Sequence, residues 1–122
     1  MILKPRRGDI WLVRLDPVEG SEQAGVRPFV IIQRDALNEV SPVTIGFPLT
    51  SQLNRVSSMN VLLDYFETGL HKPSFVLLNQ IRSISKNRLL KKLGAVSPTS
   101  LQQIEYGFLP IMGIPLIKFK RF

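Results

Sequence analysis

No cysteine occurs in the 122-residue chain, and histidine and tryptophan occur once each. The first absence excludes disulfides, thiolate metal sites and thiol nucleophiles. The second leaves His71 without a partner histidine for a metal cluster. Long hydrophobic runs are missing as well. A helical membrane span needs about 20 consecutive apolar residues, and the longest stretch here, Gly107 to Ile117, is broken by Pro110, Gly113 and Pro115. The opening sequence MILKPRRGD has no apolar segment followed by a small-residue cleavage site, so the expectation is no export and a cytoplasmic location. Several enzyme signatures are absent too: GxGxxG, the P-loop, the zincin His-Glu spacing and GxSxG. Paired carboxylates such as Asp64 and Glu67 sit near a turn and carry no glycosidase context. His71 lies between a Gly-Leu turn and Lys-Pro with no recognisable carboxylate to orient it. It reads as an exposed loop residue rather than a base.

Acidic residues are scarce in one half of the chain only. Residues 1–70 carry seven basic and eight acidic side chains, whereas residues 71–122 carry nine basic and a single acid, Glu105. The overall charge is +7. Such asymmetry points to a polyanionic partner: nucleic acid, an anionic membrane or an acidic protein. With 44% hydrophobic and 20% charged residues the composition is that of a globular protein. There is no repeat, low-complexity tract or linker, so residues 1–122 are expected to form a single domain.

Local patterning predicts mostly strands. Residues 8–15, GDIWLVRL, alternate Ile10 and Leu12 with Trp11, Val13 and Leu15, so both faces of that strand read as covered. Trp11 reads as core or interface, since base stacking would need exposure. A loop over 16–28 is punctuated by Pro17, Gly20, Gly25 and Pro28. Strands are predicted over 29–34, 43–49, 60–65 and 74–84, with Gly46 and Pro48 marking a bulge or edge. Asp35 is positioned to cap a short helical turn over Ala36–Val40. The basic stretch from Ser85 to Leu93 reads as partly helical. Ser97 followed by Pro98 is a helix start, and Leu101, Ile104 and Phe108 then make one apolar face, with Pro110 expected to end or kink the helix. The tail IPLIKFKRF is expected to add a strand or stay loose. Short strands with a terminal helix fit a small, strongly curved sheet or barrel with a helix packed on it, a mostly β (α+β) fold.

Polar residues gather at strand ends and in long loops, where sites are usually built. The loop 16–28 offers Glu22, Gln23 and Arg27. The strand over 43–49 ends in Thr50, Ser51 and Gln52. The predicted strand 74–84 carries Asn79, Gln80, Arg82 and Ser83 within an apolar run.

The ordered segments RGDIWLVRLDP, GSEQAGVRP, FVIIQ, PLTSQ and LNQIRSISKNRL resemble the MazF/PemK family of toxin endoribonucleases from type II toxin–antitoxin systems, over residues 6 to about 105. The resemblance implies a small SH3-like β-barrel with a C-terminal helix, acting as a homodimer. It implies metal-independent, sequence-selective cleavage of single-stranded RNA with no cofactor. It also implies a cognate antitoxin that threads an extended acidic or apolar segment through the RNA site. By motif, Arg27 matches the arginine of the GSEQ loop, Thr50 the threonine of the P-x-T motif, and Glu22 a glutamate important in some members. These three are the expected catalytic residues.

The residue types suit that chemistry. An arginine fork can hold two phosphate oxygens and stabilise a developing phosphorane. A threonine hydroxyl can fix the phosphate or the 2′-OH. A glutamate can accept a proton or orient the arginine. Gln23, Ser51, Gln52, Asn54, Asn79, Gln80 and Arg82 are expected to contact RNA, the amides and the hydroxyl mainly at base edges. Arg82, Lys86, Arg88, Lys91 and Lys92 fit phosphate contacts and a solvated face equally well. One departure stands out: Asn79 takes the place where many members have an aspartate, and an amide cannot move a proton. A non-catalytic toxin like the gyrase poisons, or a nucleic-acid-binding barrel without cleavage, are therefore alternatives on the same fold. The complete GSEQAGVRP loop speaks against the first.

Overall fold

A computed structural model describes residues 4–15, 25–52, 60–63 and 68–115. Glu22, Gln23, Asn54, the Asp64/Glu67 pair and the tail beyond Pro115 lie outside the described residues.

Seven strands form one antiparallel sheet among the described residues. They are β1 (Asp9–Arg14), β2 (Val26–Ile31), β3 (Val43–Thr50), β4 (Asn60–Leu63), β5 (Ser74–Leu77), β6 (Arg82–Ser85) and β7 (Leu89–Ala95). The order across the sheet is β4-β5-β3-β2-β1-β7, with β6 also paired to β3. Two helices complete the fold: α1 (Asp35–Val40), joining β2 to β3, and α2 (Pro98–Ile111), which packs on β4 and the turn after β5. Among the described residues no helix is long and apolar enough to cross a membrane.

Alternation along the strands divides the core into two clusters. Ile10, Val30, Phe47, Leu49, Val76, Leu78 and Ile104 pack together under α2. Phe47 meets Phe108 of the helix edge to face, with ring centroids 5.3 Å apart. Trp11, Val13, Leu15, Phe29, Ile31, Ile84 and Leu89 form the second cluster on the opposite faces of β1 and β2. Trp11 is 5% exposed and donates its indole N–H to Asp9 at 3.2 Å, so it is a core residue. The β-rich curved sheet with a terminal helix is the expected architecture. The ends of the hydrogen-bonded order, β4 and β7, are not joined to each other as strands. Instead Thr68 and Gly69, between β4 and β5, lie against Leu93 and Gly94 of β7, so closely that a Cβ on Gly94 would sit 1.9 Å from the Thr68 carbonyl oxygen.

Several local expectations are revised. Residues 74–84 are not one strand: β5 stops at Leu77, a 3-10 turn occupies Leu78–Gln80, and β6 resumes at Arg82. Both halves pair with β3, β5 to Leu49 and Thr50 and β6 to Val43–Gly46, so the break falls opposite Phe47 and Pro48. A proline cannot donate to a ladder, and here the neighbouring strand leaves the ladder beside it. Gly46 marks a close approach rather than an edge, since a Cβ there would lie 2.0 Å from the Val30 carbonyl oxygen. The basic stretch after Ser85 holds only a 3-10 turn, Lys86–Arg88, and then becomes β7. Asp35 lies inside the first turn of α1, not at its cap. Its carboxylate accepts from the backbone N–H of Arg7 at 2.7 Å. Ser97 does cap α2, accepting from Ser100 N–H at 3.1 Å, with Pro98 in the first turn. Pro110 is tolerated in the last turn. The helix ends where Gly113, at φ +75°, lets Ile114 N–H reach the Leu109 carbonyl at 3.0 Å.

Candidate functional site

The strand register explains how two residues 23 positions apart become neighbours. β2 and β3 pair as Ile31–Gly46, Val30–Phe47 and Phe29–Pro48. Each pair sums to 77, and continuing that register by two places sets Arg27 opposite Thr50. Even spacing along an extended strand keeps side chains on one face, so Arg27 shares a face with Phe29 and Ile31, and Thr50 with Pro48. Arg27 is exposed and pairs with Val13 of β1. Thr50 is 3% exposed and pairs with Phe75 of β5. Its hydroxyl oxygen accepts from Gln52 N–H at 3.2 Å. A hydroxyl has one donor and two acceptor sites, so this bond orients the oxygen while leaving the proton to donate elsewhere.

The remaining described candidates divide into two groups. Ser51 and Gln52 are exposed immediately after Thr50. Asn79 is exposed and Gln80 half-buried in the turn that interrupts the strand beside β3. Arg82 is different. It starts β6 opposite Gly46, and its Nη1 donates to the Leu15 carbonyl at 3.3 Å. Other second-half cations are likewise engaged with the protein. Arg88 donates to the Arg14 carbonyl at 3.0 Å, Lys86 Nζ to the Asn38 carbonyl, and Lys92 pairs with Asp9 at 3.2 Å. Lys91 is exposed on β7. Arg14, exposed at the end of β1 beside the β2 start, was not singled out in the sequence, where alternation puts it on the covered face of Ile10 and Leu12.

The described carboxylates are all committed at other places. Asp9 pairs with Lys92, Asp35 with Arg6, Glu39 with Lys4 and Glu105 with Arg7. Asp35 is held below the ordinary aspartate range, first by the backbone N–H of Arg7 and then by the Asn38 amide and the charges of Arg6 and Arg7. None of the four lies at the Arg27 end of the sheet. The base of the 16–24 segment is closed by Leu15 N–H donating to the Gly25 carbonyl at 2.9 Å. No three described His, Asp or Glu side chains converge as a group able to hold a metal ion. The arrangement can grip a phosphate with a guanidinium and a hydroxyl from adjacent strands, with amides and hydroxyls nearby for base edges.

Comparison with known proteins places this arrangement in a family. Residues 6–111 match the family described as PemK-like, MazF-like toxin of type II toxin–antitoxin system. The chain belongs to that family. It is 39% identical over 114 residues to the endoribonuclease MazF of Staphylococcus saprophyticus, covering 93% of this chain and 95% of that protein. Among solved structures, MazF from Deinococcus radiodurans superposes with a TM-score of 0.81 at 23% identity, covering 93% of this chain and all of that one. A mycobacterial endoribonuclease in complex with its cognate antitoxin gives 0.74 at 21% identity over 93% of this chain and 98% of that one. At these identities the structural matches speak for the fold alone. Arg27 lies two residues before Phe29 on β2 and Thr50 two residues after its partner Pro48 on β3.

Proposed function

We propose that this MazF-like toxin is an endoribonuclease that cleaves single-stranded RNA by in-line attack of a 2′-OH on the adjacent phosphate, without a metal ion. A bond forms between O2′ and phosphorus, and the bond to O5′ breaks. The 2′ proton passes to a base and a proton is delivered to the departing O5′, leaving a 2′,3′-cyclic phosphate and a 5′-hydroxyl end. Arg27 binds the non-bridging oxygens and stabilises the charge that grows on them in the phosphorane. Thr50, with its oxygen oriented by Gln52 N–H, donates to the phosphate or holds the 2′-OH in line. Glu22 is the proton acceptor in this scheme, because Asn79 cannot serve and the described carboxylates are committed elsewhere. Gln23, Ser51, Gln52, Asn54, Asn79 and Gln80 contact the bases. The single observation that carries the reading is the β2–β3 register, which pairs Ile31 with Gly46 through Phe29 with Pro48 and, extended by two places, would set Arg27 opposite Thr50.

The same reading places the protein in the cytoplasm as a single-domain homodimer, neutralised by a cognate antitoxin that occupies the RNA site. The second reading, an RNA-binding barrel without cleavage, is favoured by the amide at Asn79. Incubating the purified protein with a long single-stranded RNA in EDTA and mapping the new ends separates the two. Discrete cuts with 5′-hydroxyl ends, absent with Arg27→Ala, are the expected result. Tight binding without cuts would leave the binding-only reading.

A further inference from the structure

The end of β1 is where its ladders stop. Its last pair with β7 is Val13 with Leu89, and its last pair with β2 is Arg14 with Val26. Successive carbonyls of an extended strand point to opposite edges. Leu15 donates its N–H to Gly25, so Leu15 faces β2 and Arg14 faces the β7 side. Both carbonyls are met by guanidinium groups from one stretch of chain. Arg82 Nη1 reaches the Leu15 oxygen at 3.3 Å, and Arg88 Nη1 reaches the Arg14 oxygen at 3.0 Å. The contacts span 67 and 74 positions, so neither follows from local chain geometry.

Arg27 depends on this end of β1. The β2–β3 pairs run only from Ile31 to Phe29, so at Arg27 the strand is paired through Val13 of β1. A displacement of β1 there would carry Arg27 with it. A guanidinium has its donors in one rigid plane, and anchoring one of them to a carbonyl restricts where that plane can lie. Here the planes of Arg82 and Arg88 are tied to the backbone of the strand that supports the site.

We propose that Arg82 and Arg88 clamp the end of β1 and, through the Val13–Arg27 pair, hold Arg27 in register, acting on cleavage as positioning residues rather than as phosphate ligands. The kinetic part of this proposal rests on the ribonuclease reading; the structural part does not. The test uses the full-length protein with Arg82→Met and Arg88→Met, measured for cleavage across a salt series and for amide hydrogen exchange at residues 25–27. A clamp predicts that kcat falls about 10- to 100-fold, as expected when a reacting group is misplaced. KM should stay within about threefold, the salt dependence should match wild type, and exchange at Val26 and Arg27 should quicken. The Lys variants, which keep the charge and one donor stem, should fall between wild type and Met. A phosphate ligand predicts the opposite pattern: KM rises with kcat kept, the log–log salt slope drops by about one, and exchange is unchanged. That result, or no change in any readout, overturns the clamp. If Arg82→Met fails to fold, Arg88→Met, at a half-exposed position, decides alone. If wild type cuts no RNA, the ribonuclease reading fails, and slower or unchanged exchange in the variants would overturn the clamp separately.

Discussion

The two ends of the β2–β3 pair are built on opposite principles. At the α1 end, polar groups are used up internally. The Asn38 side chain accepts from Gln33 at 3.0 Å and from Thr44 at 2.8 Å, and donates to the Gln33 carbonyl at 2.8 Å and to Asp35 at 3.3 Å. Gln33 also donates to the Val43 carbonyl at 3.1 Å, and Gln33, Asn38 and Thr44 are all buried. At the other end the ladder runs out. Val26 and Arg27 are exposed, Thr50 has a hydroxyl proton to give, and Ser51 and Gln52 face solvent. A satisfied network rigidifies a corner and leaves nothing for a ligand. An unfinished ladder leaves donors in place with a rigid sheet behind them. One strand pair can therefore carry its stability at one end and its chemistry at the other.

Substitutions should separate the two ends cleanly. The largest effect is expected from Arg27→Ala, which removes the guanidinium proposed to stabilise the phosphorane. Cleavage should fall by about three orders of magnitude or more, with little loss of RNA binding, and the melting temperature should barely move because the side chain is exposed. Survival of growth inhibition in this variant would break the assignment of chemistry to this end. Asn38→Ala should do the reverse. It leaves several buried groups unpaired, at a cost of about 3 kcal/mol in urea unfolding, while the activity of each folded molecule is kept. An equal loss of specific activity would mean that the two ends are coupled. Thr50→Val keeps the shape but removes the hydroxyl. A rate loss of about 10- to 100-fold is expected, with Thr50→Ser largely restoring the rate.

The smallest effect concerns pH. Asp35 titrates below its unfolded value, so its contribution to stability is complete above the ordinary aspartate range. It is lost as the pH falls through the lowered folded value. Below about pH 4, wild type should therefore lose stability more steeply than Asp35→Asn. The difference should be modest, because the side chain is 44% exposed in its ion pair with Arg6 and is screened by solvent. Parallel acid unfolding curves for the two proteins would remove Asp35 from the α1-end network.

Much of this division was legible in the sequence where the cause is local. The alternation in GDIWLVRL gives β1 with two covered faces, and Ser97-Pro98 followed by spaced apolar residues gives α2. What failed depends on distant partners. The break of the 74–84 run is set by where β3 pairs with β5 and where it pairs with β6, and nothing in SFVLLNQIRSI alone marks the crossing. Leu89–Ala95 becomes a strand because β1, some 80 residues earlier, is there to pair with it. Its own lysines suit a solvated helix as well. At the candidate site the motif order pointed to Arg27 and Thr50, and the β2–β3 register carries their two strands alongside each other. Arg82 was legible as a cation but its carbonyl partner was not, since a bond spanning 67 positions leaves no trace in local spacing.

The pairing of the first strand with the last also sets when the site can exist. β1 waits for β7, and the carbonyls at its end wait for Arg82 and Arg88. Contacts of such long sequence separation cost loop-closure entropy before they repay it and so slow folding. A fragment ending before residue 82 would contain Arg27 and Thr50 yet lack β7, so the strand that pairs with Arg27 has both its neighbours only in the finished chain and not in its N-terminal half.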